Sequence, residues 1–182
     1  MSKIGVKNVH YAKQTTEDTA TSPAVYGEVK AVPGLVSMEV APESNTATLY
    51  ADNGPYETAS SMGAVNVTID LADLPLEVQA DLLGHTYDSQ TKTLDKKTTD
   101  VAPYVALMFE FTLANGENRC VKLYKGKFAL PTESGNTKGE NVEFQTSQIS
   151  ASFVQLKNNA AWETVQDIEG DTSAFYTSVL PA

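Results

Sequence analysis

The chain has 182 residues, 41% of them hydrophobic, enough for one domain that buries about 70% of the surface its unfolded form exposes. Lys and Arg together number 13 against 23 Asp and Glu, a net charge of −10, so the chain repels phosphate backbones and anionic lipid at neutral pH. Arg119 is the single arginine, which argues further against a protein that grips DNA, because bidentate phosphate and guanine recognition rests mainly on Arg.

Cys120 stands alone and forms no internal disulfide, as suits a reducing compartment. Met1-Ser2-Lys3-Ile4 leads into polar alternation with no apolar core of signal-peptide length, and no later stretch reaches the length of a membrane span. The expectation is a single domain over 1–182, made in a cytoplasm and not membrane-bound. Asn66-Val67-Thr68 matches a glycosylation acceptor, a tripeptide common by chance.

In chain order, short strand candidates are Val6 to Tyr11, Leu35 to Val40 and Thr46 to Ala51. Val65 to Leu71 alternates apolar and polar residues without a break, the period of a strand with one buried face. Next, Asp73 is placed to cap a helix with Pro75 in its first turn, Val78 and Leu82 on one face, and Gly84 as its stop. His85 to Asp88 is a further short strand.

Tyr104 to Leu113 and Asn118 to Lys125 flank Asn115-Gly116 and predict a hairpin. A three-residue loop, Ala114 to Gly116, is preferred, because it pairs Phe109 with Val121 and Leu107 with Leu123. On that register Gly116 takes the left-handed conformation and Cys120 falls on the other face, near Glu110. Lys127 to Leu130 and Trp162 to Asp167 complete the short strands. Between them, Val142 to Leu156 is a long extended segment whose apolar parity switches between Phe144 and Ile149, which predicts a bulge or a change of sheet. A brief helix with Asp171 as cap and Phe175 and Val179 on one face closes the chain.

Many strands with one substantial helix predict a mainly β fold, a sandwich or barrel-like body with a flanking helix. Gln14 to Ala24, Asp52 to Met62 and Thr132 to Asn141 are polar enough to read as loops or arms, and such long loops are candidate contact elements. Gln14 to Ala24 and the C-terminal end have little to bury alone and are expected to order on assembly.

No catalytic, cofactor-binding or metal site assembles from these residues. His10 and His85 are the only histidines, and neither has a second ligand at metal-site spacing. His85 follows Gly84, where its ring would face the helix C-terminus. Asp70 and Asp73 read as the solvent side of a strand and a helix cap, not as a glycosidase pair. Gly135 to Gly139 lacks the order of a phosphate loop. Tyr50, Tyr56, Tyr87 and Trp162 are dispersed among different elements. Tyr50 and Tyr56, however, bracket Ala51-Asp52-Asn53-Gly54-Pro55, a turn-rich tip between two extended arms, which suits docking on another subunit.

The stretches Ile4 to Tyr11, Leu49 to Gly54, Val67 to Pro75 with Leu82 to Gly84, and Leu123 to Phe128 together resemble the major tail proteins of siphophages and related prophages, over about Ile4 to Asp167. The resemblance implies two packed antiparallel sheets with a flanking helix, and a structural, non-enzymatic subunit. Hexameric rings of such subunits stack into a hollow virion tube through which DNA passes without specific binding. The resemblance also implies a tape measure protein and a tail terminator as partners. Carried onto this chain, it makes the 46–60 hairpin the reaching loop, with Tyr50, Asp52, Asn53, Gly54 and Tyr56 at the subunit interface. Residues 73–84 become the helix, and 1–13 and 167–182 the terminal strand or arms. A tube domain without the added immunoglobulin-like domain of some relatives is the expectation. Alternatives are a related ring protein, either a tail terminator or a secretion-system tube, and a carbohydrate-binding β-sandwich.

Overall fold

In the computed structural model, which describes residues 2–133, 135, 137 and 145–180, the chain is mainly β. Ten strands are formed: β1 (Lys3–Thr16), β2 (Val25–Val32), β3 (Leu35–Ala51), β4 (Gly54–Leu71), β5 (Thr86–Asp88), β6 (Thr93–Asp95), β7 (Val105–Leu113), β8 (Asn118–Phe128), β9 (Ser147–Val154) and β10 (Glu163–Ile168). One α-helix, α1 (Leu76–Leu83), and a 3-10 turn at Ser173–Tyr176 complete the described elements.

Eight strands form one antiparallel sheet in the order β2-β1-β7-β8-β9-β4-β3, with β10 also on β8, while β5 and β6 form a separate ribbon. The barrel does not close. β7 lies along one side of β8, whereas the other side is shared by β10 (Glu163↔Leu123 to Ile168↔Asn118) and β9 (Lys125↔Val154 to Phe128↔Ala151). The sheet therefore divides at β8 and folds over its own core.

Alternation assigns the two faces. Val9 and Tyr11, Val65 to Leu71, Leu107 and Phe109, Val121 and Leu123, and Ile149 to Phe153 point into the main core, which α1 closes with Val78, Leu82 and Leu83. The opposite face of β1, β7 and β8 carries Ala12, Ala106, Met108, Cys120 and Tyr124, covered by Ala24, Leu156, Phe175 and Val179. Both faces of the central strands are thus dry. That explains why β8 is almost continuously buried.

The hairpin of β7 and β8 has the expected register, with Phe109 opposite Val121 and Leu107 opposite Leu123. Leu113 N–H bonds to Glu117 O, and Gly116 at φ 89° supplies the left-handed residue. Gly84 stops α1 at φ 76°, where a Cβ would lie 2.3 Å from the Val101 carbonyl oxygen.

Other expectations are corrected. Asp73 is not the helix cap: the helix starts at Leu76 with Pro75 as N-cap and no side-chain cap, which leaves Asp73 two residues too far upstream. Asp52 to Met62 is no loop, but the turn and outer half of β4. Strand β2 carries no sequence signal, because only Val32 of it is buried and Val25 to Val32 shows no clean alternation. The Lys127 to Leu130 strand is partly the end of β8, which runs on to Phe128. Val142 and Phe144, and with them the parity switch, lie outside the described residues, as does most of Thr132 to Asn141.

Over their described residues, both ends pack on the body. Met1 to Lys13 falls, over its described residues, largely in β1, a central strand between β2 and β7. The register shift after Lys7 places Asn8 at φ 55° so that its side-chain N–H₂ donates to Glu110 at 2.7 Å. At the other end, Asp167 pairs in β10, and the chain beyond it lies back on the second core through Phe175 and Val179. Asp171 accepts the Ser173 N–H at 2.9 Å, an Asx turn that leads into a single 3-10 turn in place of an α-helix.

Gln14 to Ala24 is likewise pinned. The buried Asp18 carboxylate accepts hydrogen bonds from Lys125 Nζ and the Lys157 N–H, and the Lys125 ammonium lies 4.5 Å from the Tyr104 ring centroid. Glu110, 1% exposed, forms a second buried charge site with Lys7 at 3.3 Å and the Tyr176 hydroxyl at 3.2 Å, and the Cys120 Sγ lies 3.7 Å away as expected. These partners draw β1, β7, β8 and the C-terminal segment together. A charge this deep is tolerated only when paired and hydrogen-bonded.

Helix α1 is tied to β1 and β2 through Asp81, which accepts from the Tyr11 hydroxyl at 2.7 Å, Lys13 at 2.6 Å and Lys30 at 2.8 Å. Burial works against its charge, but the hydrogen bonds from Lys13, Lys30 and Tyr11 outweigh it and hold the carboxyl at about 2. A folded-state value below the unfolded one means that stability is present above about pH 4 and is lost as pH falls toward 2, in all roughly 2 kcal/mol. Urea unfolding from pH 2 to 7 should show Asp81→Asn less stable at neutral pH and less sensitive across that window. An unchanged acid slope would remove Asp81 as the tie.

Candidate functional site

The element that stands apart is the outer half of the β3–β4 hairpin. Near the body, Leu35 to Pro42 pair with Leu71 to Val65, and β4 continues onto β9 through Val65↔Phe153 to Leu71↔Ser147. Beyond Pro42 the register shifts at Gly63, and β9 no longer follows. From Ser44↔Met62 to Ala51↔Gly54 the two strands pair, among the described residues, only with each other, an arm of roughly 25 Å at about 3.4 Å per residue. Every residue of the arm except Gly54 is exposed.

Its sequence suits this state. Ser44 to Ala51 alternates Thr with small residues, has high strand propensity, and contains no charged residue or proline that would blunt a free edge. Asp52 and Asn53, at φ 50° and 62°, form a two-residue turn with both central residues left-handed, the geometry that matches strand twist. Thr48 and Thr58 face each other with their hydroxyls 3.4 Å apart. A second register shift falls between Leu49↔Glu57 and Tyr50↔Pro55, so Tyr56 is the extra residue of a bulge.

All five residues expected at an interface, Tyr50, Asp52, Asn53, Gly54 and Tyr56, are brought together at this tip. Tyr50 is 71% exposed and Tyr56 73%. Sequence pattern missed Leu49 beside them and Met62 at the arm's base, which are exposed only because the strands extend past the sheet, a fact of topology that no local spacing carries. The arm's charged residues, Glu43, Asp52 and Glu57, are all acidic.

An unsupported two-stranded ribbon is at best marginally stable in water. Further margins are unpaired among the described residues: the outer edges of β2, of β10 and of the body half of β3. All are sites where another strand can add.

The remaining chemistry-bearing residues are engaged locally. His10 Nδ1 lies 2.9 Å from Asn8 O, and its ring stacks on Tyr176 at 4.2 Å. His85 does not face the helix carbonyls as expected; its Nδ1 lies 2.7 Å from Asp100 Oδ2 while its backbone N–H bonds to Ala80 O. Burial, then the charge of Glu110, pushes the Cys120 thiol up to about 12, where it is no nucleophile. Among the described residues no group of three or more His, Cys, Asp or Glu side chains could hold a metal. Trp162 packs against the main core and Tyr87 lies on β5, so the aromatics form no common sugar platform.

No family model and no curated protein matches the chain. Among solved structures, a cryo-EM structure of the anti-feeding prophage cap, described as a tube-terminating cap, is similar at 13% identity and a TM-score of 0.48, over 87% of this chain and 88% of that one.

The arm contributes little to the body that carries it. Excising 44–62 and closing the strands with a short Asn-Gly turn should shift the thermal midpoint by no more than about 3 °C. A large drop would mean that the arm is part of the folding core.

Proposed function

We propose that this chain is a structural, self-assembling subunit of a phage-type tail tube, forming hexameric rings that stack around a DNA passage. The observation that carries this reading is the arm of β3 and β4. A ribbon exposed on both faces, with Leu49, Tyr50 and Tyr56 near its end and Met62 at its base, buries nothing within one copy, and it fits pairing with another.

Supporting features point the same way. Unpaired margins at both ends of one sheet permit head-to-tail addition of identical subunits, and such heterologous contacts close into rings or extend as filaments. The sequence resemblance to major tail proteins supplies the ring number and the tube. A net charge of −10 with one arginine gives a wall that repels DNA, which leaves the polymer free to slide. Tape measure and terminator proteins are then the partners at the tube's inside and end.

The test is assembly. Electron microscopy and sedimentation of the concentrated protein should reveal stacked rings with a central hole, whereas single rings that never stack would favour the terminator-like alternative and a strict monomer would refute the reading. Tyr50→Ala with Tyr56→Ala should leave the monomer's thermal midpoint unchanged and weaken polymerisation about ten-fold or more, as loss of buried aromatic anchors does. Unaltered polymerisation by that double variant would remove the tip from the interface.

A further inference from the structure

The arm tip needs a receiving surface, and the body offers one whose chemistry is its complement. Four large hydrophobic side chains among the described residues are more than 70% exposed: Tyr50 and Tyr56 on the tip, and Val101 at 73% and Leu130 at 72% on the body. Val101 lies on the loop between β6 and β7, Leu130 on the segment that leaves β8. Two contacts tie those segments together at one end of the molecule: the Lys96–Glu133 ion pair at 2.9 Å, and Lys127 Nζ 4.5 Å from the Tyr104 ring centroid.

The rim of this surface is basic. Lys96, Lys97 and Lys127 flank the two apolar side chains, within a chain that is otherwise strongly acidic. Glu133 is engaged by Lys96 and Asp100 by His85 and the Lys97 N–H, and neither Lys97 nor Lys127 is in an ion pair within 4 Å among the described residues. Beside Leu130, an open hollow of about 430 Å³ is lined by Lys127, Phe128, Ala129, Asn66, Thr68 and Ser150. It has room for an aromatic ring. The arm tip presents the opposite set: Leu49, Tyr50 and Tyr56 with Asp52 and Glu57, and no basic residue between 43 and 63.

We propose that the arm tip of one copy docks on the Val101–Leu130 surface of the next, its tyrosines on the apolar pair and its carboxylates against Lys97 and Lys127. This deepens the self-assembly reading and rests on it. Tip and receiving surface are different patches of the same chain, so the contact is heterologous and propagates from copy to copy. Fixed opposite charge at the rim sets the register and the association rate, while the apolar centre supplies the affinity.

Charge reversal tests the docking. Lys97→Glu with Lys127→Glu should raise the concentration needed for assembly by about ten-fold or more, and so should the tip variant Asp52→Asn with Glu57→Lys. Both should keep the wild-type circular dichroism and thermal midpoint. A chain carrying all four substitutions should assemble better than either double variant, because the Glu57→Lys charge then faces the acidic side chains introduced at 97 and 127. Val101→Ser with Leu130→Ser gives a second, uncharged probe of the same surface and should weaken assembly similarly. If arm excision abolishes assembly while both surface variants polymerise like wild type, the tip docks elsewhere and this proposal falls with the self-assembly reading intact. If the unaltered chain forms nothing beyond a monomer, both fall together.

Discussion

A β-strand is complete only when both its edges are paired and at least one face is dry, and this chain meets that condition in its centre and breaks it at its extremity. Strand β8 has neighbours along both sides and apolar cover on both faces. The arm of β3 and β4 has only one internal ladder and no cover. The contrast is built into one continuous hairpin, whose inner half belongs to the core and whose outer half belongs to nothing within the same molecule.

The body is braced so that the arm can be carried without cost to the fold. Asp18 with Lys125, and Glu110 with Lys7, Asn8 and Tyr176, join segments between 66 and 107 positions apart in sequence. Asp81 joins α1 to the first two strands. Each is a buried or partly buried charge with several hydrogen bonds, a kind of contact that fixes one arrangement because any displaced partner would leave a charge without compensation. A rigid body with a solvent-exposed extension is the division expected of a molecule whose last interactions are made with another copy.

Much of this was legible in the sequence wherever one face of a strand is buried. Val65 to Leu71 alternates because Val65, Val67, Ile69 and Leu71 meet the core while Asn66, Thr68 and Asp70 do not. The Asn115-Gly116 turn fixed the register of β7 on β8 to the residue pair. The arm's strands were only half legible, since a ribbon with no buried face has no hydrophobic period to read, and Asp52 to Met62 therefore resembled a polar loop. Strand β2 failed for a similar reason. Asp18 is invisible because its partner Lys125 is 107 positions away, and nothing local shows which strands Phe175 and Val179 bury against. The tip residues were found by turn chemistry. The surface proposed to receive them was not, because the segments that carry Val101 and Leu130 are joined only through the fold.

The account's central claim is that the outer ribbon acquires its missing neighbours from other copies of the chain. Hydrogen–deuterium exchange at the amides of 44–62, read on the dilute monomer and again on the assembled particle, measures this directly. Rapid exchange in the monomer and strong protection after assembly is the predicted result. Protection already present in the dilute monomer, or amides still unprotected in the particle, would contradict it.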